Sequence, residues 1–209
     1  MYKNIEILNK EKFKNLKFDD VDAKEVGKNI GLIPLGFTEI WSASFNSAII
    51  ISAGDNAEFI AFCGINLDIT IFNKENVYLP AFLKTYPFLN VEVENKDKKI
   101  FILDKEKNLS KQTASKVELI KELNSQRAVC RRIIAELKKL DLLIKKDLRV
   151  KIEGKEEKVI LEEFYVINME KLLKLDDKII AGFARKGWMG IFDAHLKSIS
   201  NFEKILKAN

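Results

Sequence analysis

The spacing of apolar residues changes at Ser110, and that change constrains the fold more than any other feature. Between residues 48 and 103, apolar residues occur in short β-branched runs separated by Gly, Asp and Asn. From Ser110 the spacing becomes helical, since apolar residues recur every three or four positions. Short runs bounded by turn residues are typical of strands, and the second spacing is typical of one helix face. The stripe includes Val117, Ile120, Leu123, Cys130, Ile133, Ile134, Leu137 and Leu140.

Short strands joined by tight turns are predicted on both sides of this long helix. The segments GDN, NKDK and GKEE lie between apolar runs and are turn signals, so successive hairpins are expected. Hairpins favour an antiparallel sheet. The predicted strands are Ile5–Leu8, Ala48–Ser52, Glu58–Ile65, Ile69–Phe72, Leu89–Val93, Lys99–Leu103, Leu148–Glu153 and Lys158–Ile167.

Helical patterns complete an α+β class with a mainly antiparallel sheet, one long amphipathic helix and a helical C-terminal segment. A short helix is predicted at Thr38–Phe45 with Thr38 as its N-cap. The segment from Asn168 onward is helical, with breaks expected at Gly182 and at the Gly187–Gly190 pair. We interpret residues 1–209 as a single domain, with a mainly β part (1–108) and a second part of helix, hairpin and C-terminal helices (109–209).

The charge balance makes nucleic-acid binding unlikely. The chain has 36 Lys and Arg against 31 Asp and Glu, for a net charge of +5, and the two signs are interspersed. Arginine, the residue favoured for bidentate phosphate contacts, is scarce. Arg127 falls inside the apolar stripe, where it either snorkels or forms an ion pair. The basic surface that remains as an alternative is Lys121, Arg127, Arg131 and Arg132.

The sequence contains no recognisable catalytic, cofactor-binding or metal-binding pattern. His195 is the only histidine, and Asp193 two residues earlier would not share its helix face. A hydrogen-bonded packing role for His195 is favoured over a catalytic one. Cys63 and Cys130 lie in unlike contexts and are predicted to be free, buried thiols.

No signal peptide or membrane span is predicted. The N-terminal segment is rich in lysine, and the most apolar run, SAIIISA, is too short to cross a bilayer. We therefore expect a cytoplasmic protein, with export by a route that reads no N-terminal signal left open.

The most unusual segment is the aromatic and proline-rich run YLPAFLKTYPF at Tyr78–Phe88. Pro80 and Pro87 are expected to bound a short helix whose aromatic side chains share a face. Two interpretations remain: an aromatic plug between helix and sheet, which we favour, or a surface for a binding partner. The candidates for a binding surface are Tyr78, Pro80, Phe82, Lys84, Tyr86, Pro87 and His195.

This run resembles the signature of the SapC family of bacterial proteins, in which a Tyr-x-Pro-Ala-x-Leu-Arg-Arg-Tyr-Pro-Phe pattern is typical. Further resemblance follows in the same order over nearly the whole chain, in LIPLGFTEI, SAIIIS, EFIAFCGIN, VILEEFYVINMEKLLKL and KGWMGIFDAHLKSISNFEKI. The chain departs from the pattern where Lys84–Thr85 replaces the Arg-Arg pair, where Asp193 replaces a tyrosine, and where Glu162 or Glu163 replaces a glycine.

The resemblance implies a context and no reaction. The family takes its name from a surface-layer gene cluster that also encodes type I secretion components. It therefore implies a non-catalytic accessory protein that acts through protein–protein contacts with a surface-layer or secretion component, with no cofactor. The alternative is an enzyme or small-ligand-binding protein with a site near His195 and Tyr78–Phe88.

Overall fold

A five-stranded antiparallel sheet forms the centre of the fold. The computed structural model describes residues 5–7, 22–92, 98–103, 113–150 and 157–207. The sheet consists of β2 (Leu32–Pro34), β4 (Phe59–Phe62), β3 (Ala48–Ile51), β8 (Lys158–Ile167) and β7 (Leu143–Val150), in that spatial order. A three-stranded antiparallel sheet contains β1 (Ile5–Ile7), β6 (Lys98–Leu103) and β5 (Phe88–Glu92) in that order.

The helices lie between and after these strands. Among the described residues, 3-10 turns are formed by Phe37–Glu39 and Ile71–Asn73. The α-helices of the described residues are α1 (Ala23–Lys28), α2 (Ile40–Ala43), α3 (Ala81–Lys84), α4 (Thr113–Lys139), α5 (Met169–Leu172), α6 (Asp177–Arg185), α7 (Trp188–Ser198) and α8 (Asn201–Leu206). The predicted α+β class with a mainly antiparallel sheet and a long helix is confirmed.

The long helix α4 packs the predicted apolar stripe into the core. A helix of this length stays attached mainly by burying one apolar face, which here carries most of the predicted residues. The buried members are Ile120, Leu123, Cys130, Ile133, Ile134 and Leu137.

The hairpin predictions are confirmed where the structure describes them. β3 pairs with β4 from Ala48↔Phe62 to Ile51↔Phe59, and all four residues of β3 are buried. β5 pairs with β6, and β7 with β8. The predicted NKDK and GKEE turns fall mostly outside the described residues. β7 begins at Leu143 rather than at the predicted Leu148, because an edge strand tolerates the lysines that interrupt its apolar pattern.

The predicted strand Ile69–Phe72 is wrong. Asn66 Oδ1 accepts hydrogen bonds from the backbone N–H groups of Asp68 and Ile69, which turns the chain. Only Thr70 then forms a bridge, with Gly64, and its hydroxyl caps a 3-10 turn that begins at Ile71. A local side-chain turn thus overrides the β-branched composition.

Two helix-boundary predictions are also wrong. Thr38 is not an N-cap, because the 3-10 turn begins at Phe37 and Gly36 holds the N-cap position. Gly182 and Gly190 do not break helices, since α6 and α7 run through them. The break predicted at the Gly187–Gly190 pair does occur, at Gly187, whose φ of +71° is the left-handed conformation that glycine adopts without strain. Buried aromatic side chains in α6 and α7 outweigh the low helix propensity of the other two glycines.

Candidate functional site

A buried carboxylate joins two of the sequence motifs. Glu39 is 5% exposed. Its Oε2 accepts a hydrogen bond from the Gly36 N–H at 2.8 Å. Its Oε1 accepts one from the Tyr78 hydroxyl at 3.0 Å and one from the Ala81 N–H at 2.6 Å. These four residues form what we call the Glu39 network, which ties the 3-10 turn to the start of α3.

The local sequence explains why this network forms. Pro80 holds the N-cap position of α3, and the first N–H groups of a helix have no partner within it. Glu39 fills that need for Ala81. Gly36 has no Cβ, and one placed there would lie 2.4 Å from Gln126 Oε1. Burial, and next the charge of Glu39, raise the pKa of Tyr78 well above its ordinary value of 10.0, so its hydroxyl remains a donor.

The remaining candidates of the Tyr78–Phe88 run are mostly packed. Pro80 and Pro87 are buried, whereas Tyr78, Phe82 and Tyr86 are half-buried. Lys84 is exposed, and its ammonium lies 5.8 Å from the centre of the Tyr78 ring. The neighbouring Thr85 is buried and donates a hydrogen bond to the Phe82 carbonyl at 2.7 Å. The side chains that replace the family's Arg-Arg pair thus have separate surroundings, one in solvent and one inside.

A second buried carboxylate, which the sequence did not single out, binds two arginines of α4. Glu58 accepts hydrogen bonds from Arg127 Nε at 3.1 Å and Arg127 Nη2 at 2.7 Å. Arg131 Nη1 donates to it at 2.7 Å. Arg127 is therefore paired rather than snorkelling. Two of the four residues of the basic alternative surface are turned towards Glu58, which weakens the case for that surface as a nucleic-acid site. The sequence signal for this ion pair was Glu58 itself, a single acidic residue directly before an apolar strand.

His195 is fully buried and replaces part of the sheet's hydrogen bonding. β3 and β8 pair at Ile51↔Tyr165, so Ile49 and Ile167 would be opposite each other two residues further on. Instead, the Ile167 N–H donates to His195 Nε2 at 3.2 Å, and the Ile49 N–H donates to Ser198 Oγ at 2.8 Å. Side chains of α7 thus satisfy backbone donors at the point where the two strands separate.

Asn201, the first residue of α8, adds to this set of contacts. Its Nδ2 donates to the Ser44 carbonyl at 2.8 Å and to the Ser47 carbonyl at 3.0 Å. His195, Ser198 and Asn201 follow one another at intervals of three, and we call them the C-terminal clamp. Sequence reasoning missed Ser198 and Asn201, although their spacing from His195 was visible. The clamp explains what this histidine does, namely that it fixes helix α7 to the sheet.

Burial lowers the pKa of His195 to about 4 from its ordinary value of 6.5, while a backbone contact with Ile49 acts in the opposite direction. Between these values the unfolded chain binds a proton at His195 that the folded chain excludes. Stability should therefore fall by about 3 kcal/mol as pH is lowered from 7 to 4. We expect urea unfolding between pH 7 and pH 4 to show this loss of stability. The variant His195→Gln should lack the part of the loss that comes from protonation of the histidine. Equal slopes in the two proteins would contradict the assignment.

Both cysteines are free and buried, as predicted. Burial raises the pKa of Cys63 to about 12. Burial also raises the pKa of Cys130 to about 12, with the charges of Glu58 and Glu39 adding to the effect. A thiol is a nucleophile only as the thiolate, so neither sulfur is activated for catalysis at neutral pH.

A cleft of about 330 Å³ lies elsewhere in the fold, between the α1–β2 turn and the loop 64–70. His195 and the Tyr78–Phe88 run do not line it. Its lining includes Lys28, Asn29, Gly31, Gly64, Asn66 and Asp68.

Two aromatic side chains of the LIPLGFTEIWSASF segment are exposed to solvent. Trp41 is 53% exposed and Phe45 is 57% exposed. Their ring centres are 6.1 Å apart at an interplanar angle of 84°, which is an edge-to-face arrangement. The ammonium of Lys197 lies 5.4 Å from the centre of the Phe45 ring. We call Trp41, Phe45 and Lys197 the aromatic patch.

In the described parts of the chain, no helix has the length and apolar character needed to cross a membrane. The same residues hold no group of three or more His, Cys, Asp or Glu side chains arranged to bind a metal ion.

Comparison with known proteins gives one match. The family model described as SapC matches residues 8–116 and 101–205. No curated protein and no solved structure matches the chain significantly. Both motifs joined by the Glu39 network lie within the first matched range, and the C-terminal clamp lies within the second. Because the matched ranges cover nearly the whole chain, the protein belongs to the SapC family.

Proposed function

We propose that this protein is a non-catalytic accessory protein that acts through protein–protein contacts in surface-layer biogenesis or secretion. The observation that carries the contact part of this proposal is the exposed Trp41–Phe45 pair. Large aromatic side chains in solvent cost free energy unless a partner covers them, and tryptophan is among the residues that contribute most at interfaces. The surface-layer context comes from family membership.

Trp41 lies in α2, and the turn after this helix, which carries Phe45, is held from two sides, which favours binding without reorganisation. Asn201 holds the carbonyls of Ser44 and Ser47, on either side of Phe45. Asn46 Oδ1 accepts a hydrogen bond from the Tyr78 N–H at 3.2 Å. A surface fixed in advance loses little conformational entropy when a partner binds.

The buried side chains that could in principle act as an acid or a base support the non-catalytic part of the proposal. Glu39, Glu58 and His195 accept hydrogen bonds that hold the fold together. A catalytic acid or base needs access to a substrate, whereas these side chains are buried against the fold. The alternative, a ligand or enzyme site near His195 and Tyr78–Phe88, has less support. The contacts of His195 are with the sheet, where it also meets Phe59 edge-on with ring centres 6.0 Å apart.

The proposal predicts a specific loss of partner capture. The tagged protein, incubated with an envelope and secretion fraction of its native host, should retain a surface-layer or secretion component. The double variant Trp41→Ala/Phe45→Ala should retain about tenfold less, because both rings of the contact are removed. Mass spectrometry of the retained proteins measures this.

The matched control is Leu173→Ala, which removes another exposed apolar side chain, 67% exposed, from a different part of the fold. It should leave capture unchanged. Equal capture of the same component by the unmodified protein, the double variant and Leu173→Ala would exclude the aromatic patch as the contact. Recovery of no envelope or secretion component by the unmodified protein would count against the proposed function itself.

A further inference from the structure

We propose that the aromatic patch binds an acidic segment of a protein partner, in which carboxylate side chains alternate with apolar ones. This inference rests on the proposed function and specifies the chemistry of the partner. The two exposed rings supply the apolar contact. Recognition of negative charge comes from Lys197, which lies against the Phe45 ring, and from Lys204 and Lys84, each linked to the Phe45 turn through one intervening residue.

Two of these lysines belong to the C-terminal helices. The ammonium of Lys197 lies against the Phe45 ring. Lys204 Nζ donates to Asn201 Oδ1 at 3.1 Å, and the opposite end of that amide holds the Ser44 and Ser47 carbonyls. One asparagine side chain therefore separates the Lys204 ammonium from the turn that carries Phe45.

The third lysine belongs to the Tyr78–Phe88 run and is linked to the same turn through Tyr78. Lys84 lies over the Tyr78 ring, and the Tyr78 N–H donates to Asn46, the residue after Phe45. Lys84 was a candidate from sequence, and Tyr78 links it to the turn that carries Phe45. The lysines thus come from α3, α7 and α8, and all three are exposed.

Among the described residues, these three ammonium groups form no ion pair, which they share with other exposed lysines such as Lys139 and Lys174; what sets them apart is their position beside the aromatic patch and the turn that carries Phe45. Lys145, Lys171 and Lys207 form ion pairs with Glu163, Asp141 and Glu203, respectively. Within residues 22–92, 113–150 and 157–207, no ion pair involves Lys84, Lys197 or Lys204. Their charge is therefore free to attract an anionic partner.

The acidic residues of the same helices do not cancel this charge. Asp193 lies one helical turn before Lys197 on α7 and is exposed. Glu203 is on α8, and its carboxylate is bound by Lys207. One exposed carboxylate without an ion pair thus stands against three ammonium groups. The local balance is positive around an apolar centre, which is complementary to a segment with acidic and apolar side chains.

The small size of the aromatic patch suits a protein segment better than an anionic membrane surface. Membrane-surface binding relies on an apolar face that enters the bilayer over an extended area, whereas the apolar part here is two rings, one on α2 and one on the turn after it. A peptide needs only a small anchor of this kind, with charges placed around it.

Tryptophan fluorescence tests the inference directly. The chain has two tryptophans, so Trp188→Phe leaves Trp41 as the sole reporter in the patch. The probe is a short synthetic peptide in which Glu and Asp alternate with Leu and Phe. As this peptide is added, we expect the fluorescence emission of Trp41 to change and to reach a plateau when the patch is fully occupied. A control peptide with Gln and Asn in place of the acids should bind about tenfold more weakly, and added salt should weaken the acidic peptide.

Variants locate the charge recognition. In the Trp188→Phe background, Lys197→Gln/Lys204→Gln should weaken binding of the acidic peptide by about tenfold. The matched control Lys139→Gln/Lys174→Gln removes two exposed lysines elsewhere and should leave the affinity unchanged.

Three results would overturn the inference: no binding of the acidic peptide, equal affinity for the neutral peptide, or equal weakening by the control pair. Binding to phosphatidylglycerol vesicles without binding to the peptide would assign the patch to a membrane surface instead. If the host pull-down still depends on Trp41 and Phe45, the proposed function stands, and only the acidic character of the partner is rejected.

Discussion

Replacing Glu39 by alanine is expected to lower the free energy of unfolding by about 3–4 kcal/mol. The carboxylate accepts three hydrogen bonds, and two of the donors are backbone N–H groups, of Gly36 and Ala81. Without an acceptor, each buried N–H costs about 1–3 kcal/mol. The relief from burying a charge offsets part of this loss. Urea unfolding at neutral pH measures the change.

Graded variants separate the bonds of the Glu39 network. Tyr78→Phe removes one half-buried donor and should cost about 1 kcal/mol. Glu39→Gln should cost about 2 kcal/mol. Its carbonyl oxygen can serve Tyr78 and Ala81, but its amide nitrogen then faces the Gly36 N–H, which is also a donor. A loss for Glu39→Ala no larger than for Tyr78→Phe would mean that the network does not connect the two motifs energetically.

Replacing His195 by alanine should lower the free energy of unfolding by a similar amount, about 3–4 kcal/mol. The imidazole is fully buried, so its removal leaves a cavity in the core beside Phe59. It also leaves the Ile167 N–H without its acceptor. His195→Gln keeps an acceptor oxygen and should lose less. Thermal and urea unfolding of the purified variants measure both effects.

Two further variants show whether the loss comes from the clamp. Ser198→Ala should cost about 1–3 kcal/mol, because it leaves the Ile49 N–H unpaired. Asp193→Ala changes an exposed residue of the same helix and should stay within about 0.5 kcal/mol of the unmodified protein. Equal losses for His195→Ala and Asp193→Ala would show that the histidine has no clamping role.

The sequence predicts the elements with strong periodicity and misses those set by single side chains. The stripe of α4 and the hairpins were visible because their spacing matches the geometry of helix and strand. The segment Ile69–Phe72 was misread because Asn66, outside it, turns the chain. Gly182 and Gly190 were misread because packing of neighbouring aromatic residues outweighs local propensity.

The contacts of the candidate site were even less predictable from sequence than the secondary structure. The importance of the Tyr78–Phe88 run was readable from its composition, but its main partner, Glu39, lies 39 residues before Tyr78. Glu58 and Arg127 are 69 residues apart in the chain. Which polar groups meet over such distances depends on how the strands and helices pack, and local patterns carry little information about it. His195 could be assigned to packing, whereas the strands it joins could not be identified.

The clamp at the end of the chain also affects the order in which the fold can be completed during synthesis. β3 is apolar throughout, and one of its backbone donors is satisfied by Ser198, 149 residues later. During synthesis, β3 therefore leaves the ribosome long before Ser198, which accepts one of its hydrogen bonds, has been made. Contacts so distant in sequence form slowly, and unpaired apolar strands are prone to association in the meantime. The sheet's hydrogen bonding is therefore completed only after α7, which carries Ser198, has been synthesised.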